Sequence, residues 1–164
     1  MTHVTRDDVV YQLASTATRS FAARLSGLFV SDDGDTWRSA YDSLRLTAPL
    51  ATLSVLVAES GRRPWVFAGC NGGLLRSGDG GTTWESCALP EPAPAVVALA
   101  ASPQLEKDGR LFAATLQDGV LYSHDHGAHW RTGNIGLIDM NVLCLTVSPG
   151  FANADFGTAS IRSK

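Results

Sequence analysis

The hexapeptide His124-Asp125-His126-Gly127-Ala128-His129 gathers three imidazoles and a carboxylate in six residues. Such a tract has the ligand types that hold zinc or nickel. A second stretch, Ser77-Gly78-Asp79-Gly80-Gly81-Thr82-Thr83-Trp84, offers glycines, an acid and hydroxyls, the ingredients of a phosphate or metal loop. It is no P-loop, because the Gly-Lys-Ser/Thr ending is missing and no helical pattern follows. Six carboxylates, Glu59, Glu91, Glu106, Asp108, Asp118 and Asp139, are of the group type that general acid/base work uses. Nothing in their spacing selects two of them, and each reads as a solvated loop charge. Cys70, Cys87 and Cys144 are odd in number, have no C-x-x-C spacing and lie in apolar stretches, so they read as buried free thiols.

Repetition decides between chemistry and architecture. Boxes of one pattern, S-x-D-x-G-x-T-W, end at Trp37, Trp84 and Trp130, with spacings of 47 and 46 residues. Aligned on the Trp, Val30 takes the Ser place of the first copy and His129 the Thr place of the third. A fixed period of this size marks repeated supersecondary units. His124 and His126 then fall at variable positions, and Asp125 belongs to a turn. The expectation is therefore no metal site and no cofactor.

Strands that must carry the boxes repeat with them. Gly opens an apolar strand before each box, at 27–31, 73–77 and 119–123. Before that, a strand begins Phe-Ala at 21–25, 67–71 and 112–116. Earlier still come strongly apolar runs at 9–14, 53–58 and 96–101. A fourth strand is expected to run through each Trp. Four antiparallel strands joined by short turns make one unit. The tail starts another: Ser148-Pro149 follows Ser102-Pro103 by 46 residues, 156–160 reads as a second strand and Ile161-Arg162-Ser163 as a third.

These boxes resemble the Asp-box, or BNR repeat, of the sialidase-like β-propellers. The resemblance covers nearly the whole chain and implies an all-β fold in one domain, 1–164. Its four-stranded blades are placed at about 7–45, 51–90 and 95–134, with a partial fourth at 141–164. Half, or a fragment, of a closed propeller is the expected architecture. Sialidases, xyloglucanases, sortilin-type ectodomains and the photosystem II assembly factor share such blades but not one activity. The resemblance also implies that the boxes sit at the outer edge, away from the usual ligand face.

A folding role for the boxes agrees with their chemistry. Asp32, Asp79 and Asp125 are expected to accept backbone N–H bonds within the turn. Gly34, Gly81 and Gly127 supply positive φ. Ser77 and Ser123 add a side-chain bond, and Trp37, Trp84 and Trp130 clamp the loop by burial. The Arg-Ile-Pro motif of sialidases is absent, and Arg62-Arg63-Pro64 does not match it. The loop before the fourth unit carries Ile135, Leu137, Ile138 and Met140, a candidate contact surface if they are exposed.

Composition bounds the partners. Hydrophobic residues make up 45% and charged residues 18%, which favours a packed fold over disorder. A net charge of −3 argues against nucleic acid. No apolar run reaches the ~20 residues that span a membrane. The N-terminus shows no signal-peptide pattern. The sequence therefore predicts a cytoplasmic protein, or a secreted one if the natural N-terminus lies upstream. Its expected role is a non-catalytic protein-binding or assembly scaffold, with a protein partner or a homodimer completing the ring and a glycan possible. The alternative is a piece of a glycoside hydrolase whose catalytic residues lie elsewhere.

Overall fold

The computed structural model describes residues 8–44, 50–59, 62–134, 136–151 and 159–162. It is all-β. The first sheet runs β1 (Val10–Ser15), β2 (Ser20–Arg24), β3 (Gly27–Ser31) and β4 (Arg38–Ser39). The second runs β5 (Thr52–Ala58), β6 (Trp65–Cys70), β7 (Gly73–Ser77) and β8 (Glu85–Ser86). The third runs β9 (Ala95–Ala101), β10 (Leu111–Leu116), β11 (Val120–Ser123) and β12 (Arg131–Thr132). β13 (Cys144–Val147) and β14 (Ala159–Arg162) pair as a fourth, two-stranded sheet. In every sheet the spatial order is the chain order, and every pairing is antiparallel.

Three expectations about strands are corrected. Each outer strand is only two residues long and begins after the Trp, not through it. After β4 the chain turns into a short 3-10 helix, Ala40–Ser43, whose Tyr41 is buried against unit two. In the tail, Ile161 and Arg162 belong to the second strand and pair with Leu145 and Cys144. They do not form a third strand, and Ser163 lies outside the described residues. The cysteine reading is also too uniform: Cys70 is buried and Cys87 half-buried, but Cys144 is exposed. Burial pushes the Cys87 thiol up to about 12, so it stays protonated.

First strands of consecutive units lie side by side (β1 by β5, β5 by β9, β9 by β13), which makes them the inner strands. The core consists of layers between units. Phe21, Ala23, Leu28 and Val30 of unit one meet Val55, Val66, Ala68, Leu75 and Trp84 of unit two. Phe67 and Leu74 of unit two meet Val96, Leu111, Ala113, Leu121 and Trp130 of unit three. Ala114 and Val120 of unit three meet Val142, with Leu137 and Leu145 packed alongside.

The strand pattern explains why the units fit. Cross-strand rows on the face toward the preceding unit are Leu13–Ala22–Phe29, Val55–Ala68–Leu75 and Leu99–Ala113–Leu121. Toward the following unit, the small residues Ala23, Gly69 and Ala114 pair with Leu28, Leu74 and Val120. The small residue is sterically required at Gly69. A Cβ there would collide with Ser54 Oγ and with the Val96 carbonyl of the next unit. The two sheets touch backbone to backbone at this point, and Ser54 Oγ donates to Val96 O at 3.2 Å.

Candidate binding surfaces

Each box is a closed hydrogen-bond circuit. In the second, Asp79 Oδ1 accepts from the N–H groups of Thr82 and Thr83, both at 2.9 Å, and from Ser77 Oγ at 2.7 Å. Thr83 Oγ1 donates to Asp79 Oδ2 at 2.7 Å, and Gly81 N–H donates to Ser77 Oγ at 2.8 Å. The third box repeats this. Asp125 accepts from Ser123 Oγ and His129 N–H, and Gly127 N–H donates to Ser123 Oγ. His129 has replaced the box Thr and its Nδ1 lies 2.7 Å from Asp125 Oδ2, the bond the Thr hydroxyl makes in the second box.

In the first box the acceptor is Asp33, not Asp32. Asp33 Oδ1 takes Thr36 N–H at 2.7 Å, Asp35 N–H at 2.9 Å and Ser31 Oγ at 3.0 Å, while Gly34 N–H donates to Ser31 Oγ. Alignment on the Trp without a gap therefore misplaces the Ser and the Asp by one residue. The first turn is one residue shorter between Asp and Gly, so Ser31 fills the Ser place that was given to Val30. Asp32 points outward to Arg19 Nε at 2.6 Å and Arg38 Nη2 at 3.1 Å.

Electrostatics follow the bonds. Thr36 and Asp35 N–H groups hold the Asp33 carboxyl well below the usual carboxylate range. Partial burial opposes ionisation of Asp79, but the bonds from Thr83, Ser77 and Thr82 outweigh it and lower its pKa to about 2. Asp125 is also lowered, its burial outweighed chiefly by His129 and Ser123. Arg19 and Arg38 hold Asp32 down. All four acids are thus anions at neutral pH, with their oxygens engaged by protein donors.

The glycines and tryptophans of the second and third boxes face the preceding unit. At Gly81, which has φ +83°, an added Cβ would lie 2.5 Å from the Phe21 ring. At Gly127 it would lie 3.0 Å from the Phe67 ring. Trp84 and Trp130 are 6% and 4% exposed, whereas Trp37 is only half-buried and Gly34 has nothing within 4 Å. Sequence reasoning missed this docking of one unit's Phe onto the next unit's box. Its signal was present: Phe21, Phe67 and Phe112 recur at a fixed place in the second strand.

The arginines at the unit junctions were missed as well. Arg19 Nη1 reaches Gly80 O at 3.0 Å and Thr82 Oγ1 at 3.2 Å in the next box. Arg76 Nη1 donates to His126 O at 2.9 Å in the box after that. Arg19, Arg62 and Arg63 also line a cleft of about 530 Å³ with Thr16, Thr18, Pro64 and Asp79.

The three imidazoles do not converge. His124 packs edge-on against Tyr122, His126 stacks on Trp65 at 5.4 Å, and His129 is bonded to Asp125. No group of three His, Cys, Asp or Glu able to hold a metal forms among the described residues. The six loop carboxylates divide between the two ends of the units. Glu59, Glu106 and Asp108 lie on connections between first and second strands, at the box end; Glu91, Asp118 and Asp139 lie at the other. Asp108 accepts from Ser102 Oγ and Arg110 N–H, and Asp139 from Asn141 N–H, so both are turn acceptors.

The apolar loop before unit four separates into parts. Leu137 packs against the Ala114–Val120–Val142 layer, Met140 is half-buried and Ile138 is fully exposed. Ile135 lies outside the described residues.

No family model and no curated protein matches the sequence. Solved structures do resemble the fold at low identity. A structure of YCF48 bound to D1 peptide is 13% identical with a TM-score of 0.62, over 98% of this chain and 48% of that one. An ancestral GH74 enzyme is 19% identical with a TM-score of 0.68, over 93% of this chain and 21% of that one. The extracellular domain of a one-component system from B. thetaiotaomicron is 14% identical with a TM-score of 0.63, over 83% of this chain and 18% of that one. This chain thus spans about half of one neighbour and about a fifth of the others. Its fold is that of the Asp-box β-propellers, with three complete blades and two strands of a fourth among the described residues.

Proposed function

We propose that this chain is a non-catalytic propeller module that binds a segment of another protein. The observation that carries this reading is how the two kinds of loop use their side chains. At the box end, Asp33, Asp79 and Asp125 are consumed by their own turns. At the other end, the connection before unit four leaves Ile138 fully exposed beside half-buried Met140. A bare apolar side chain on a loop held by a rigid scaffold is a usual form of protein contact. The likeness to YCF48, which was solved with a peptide, supports the same reading.

The likeness to a GH74 enzyme supports the alternative, a portion of a glycoside hydrolase. One experiment separates them. The purified chain is panned against a displayed peptide library and assayed in parallel on xyloglucan and a sialyl glycoside. Enriched peptides whose affinity falls at least tenfold with Ile138→Ser plus Met140→Ser are the expected result. Turnover of either glycoside, or no enriched peptide, overturns the proposal.

A further inference from the structure

The junction of units one and two holds a basic cleft on the box side, and we propose that it binds the phosphate group of a phosphate monoester. The inference is independent of the peptide-binding reading, whose loop lies at the opposite end of the units.

Three segments build this cleft of about 530 Å³: the turn from β1 to β2, the connection from β5 to β6, and the second box. They bring Arg19, Arg62 and Arg63 to one concavity, with the hydroxyl residues Thr18 and Thr82 beside them. On a chain whose net charge is −3, three guanidinium groups at one cleft reverse the local sign.

The acids nearby do not cancel that charge. Asp79 also lines the cleft, but its oxygens are taken up within the box by Thr82 and Thr83 N–H and by the Ser77 and Thr83 hydroxyls. Arg19 forms a fixed wall. Its Nε is bonded to Asp32 and its Nη1 to Gly80 O and Thr82 Oγ1, while Nη2 has no bond among the described residues. Arg62 and Arg63 are exposed, with no ion pair or hydrogen bond among the described residues. Their loop is pinned all the same. Gly80 N–H donates to Pro64 O at 3.1 Å, which ties the end of the loop to the box. Pro64 also confines Arg63 before it to extended backbone. Like charges held at one cleft repel, and a bound anion relieves that repulsion.

The repeat alone does not supply this wall. Counted two residues back from the second-strand Phe, Arg19 corresponds to Trp65 in unit two. Trp65 stacks on His126 of the third box at 5.4 Å, so an aromatic contact occupies the same place at the next junction. The cation is particular to the first junction of the two.

Phosphate is the anion that suits three guanidinium groups. Their forked donors match phosphate oxygens, and a phosphate monoester carries about −1.5 to −2 charges and three acceptor oxygens at neutral pH. A carboxylate has one charge and two oxygens, which a single arginine fork satisfies.

Titration calorimetry of the purified chain with inorganic phosphate, at neutral pH and low salt, tests this. Saturable one-to-one binding is expected, at least tenfold weaker in Arg62→Ala plus Arg63→Ala with unchanged circular dichroism. Lys107→Ala plus Arg131→Ala removes the same charge from exposed positions of unit three and should leave the affinity within twofold. Acetate at equal ionic strength should bind at least tenfold more weakly. Glycerol phosphate and a phosphoserine peptide form two further arms, and tighter binding of one than of inorganic phosphate identifies the source of the ester. If the double alanine variant fails to fold, Arg62→Gln plus Arg63→Gln replaces it. Absence of saturable phosphate binding overturns the proposal. So does affinity retained without Arg62 and Arg63, acetate bound as well as phosphate, or both esters bound tenfold more weakly than inorganic phosphate.

Discussion

At the scale of single residues, a box acid works as an anchor for backbone donors. Asp79 gathers two N–H groups and two hydroxyls, so its removal leaves several donors without their acceptor. Asp79→Ala is expected to cost about 0.5–2 kcal/mol, the usual range for losing a side-chain acceptor of otherwise unpaired backbone N–H groups, measured by denaturant titration. In the first box the same experiment discriminates between neighbours. Asp33→Ala should lower the denaturation midpoint more than Asp32→Ala, because Asp32 makes only ion pairs with Arg19 and Arg38 at the surface. Equal effects would return the turn role to Asp32. Acid gives a third test. Folded Asp79 titrates at about 2 against an ordinary 3.8, so the unfolded chain takes up the proton first. Its stabilising contribution is complete above 3.8 and is lost as the pH falls toward 2. Midpoints measured through that window should fall steeply in the wild type and less steeply in Asp79→Asn.

At the scale of elements, the chain is held by one repeated joint: a Phe ring of one unit set on the box glycine and Trp of the next. Phe67→Ala removes a fully buried ring between units two and three and should cost about 3–5 kcal/mol. Trp84→Ala should cost a similar ~3–5 kcal/mol, and Trp37→Ala distinctly less, because Trp37 is only half-buried. Gly81→Val is expected to be severe, since the side chain would both enter the Phe21 ring and sit at φ +83°. Much of this was legible. The second and third strands could be placed within about a residue or two because Phe-Ala and Gly mark their starts, and such markers reflect steric needs that sequence displays directly. What failed was whatever depends on pairing length or turn length. A strand that continues only while its neighbour offers partners stops after two residues, as at Glu85–Ser86. A turn one residue shorter moved the first acceptor to Asp33, with Ser31 as the overlooked sign. The contact loop was legible as apolar, but not that Leu137 would turn inward while Ile138 stayed out. That choice is made by Ala114, Val120 and Val142, from elsewhere in the chain.

At the scale of the whole molecule, each unit's packing comes mainly from its neighbours, as in other repeat architectures, so stability depends on position. Unit two is packed on both faces. Val55, Val66 and Ala68 look toward unit one, and Phe67 and Leu74 toward unit three. Among the described residues unit one is packed on one face, and its inner strand β1 is exposed at Val10, Tyr11 and Leu13. Local opening of β1 therefore uncovers little that is not already wet, while opening of β6 breaks two layers at once. Hydrogen exchange followed by mass spectrometry should find the slowest amides in Trp65–Cys70 and much faster ones in Val10–Ser15. Protection of β1 equal to that of β6 would mean that stability does not pass from neighbour to neighbour, and the layered account of the core would fail with it.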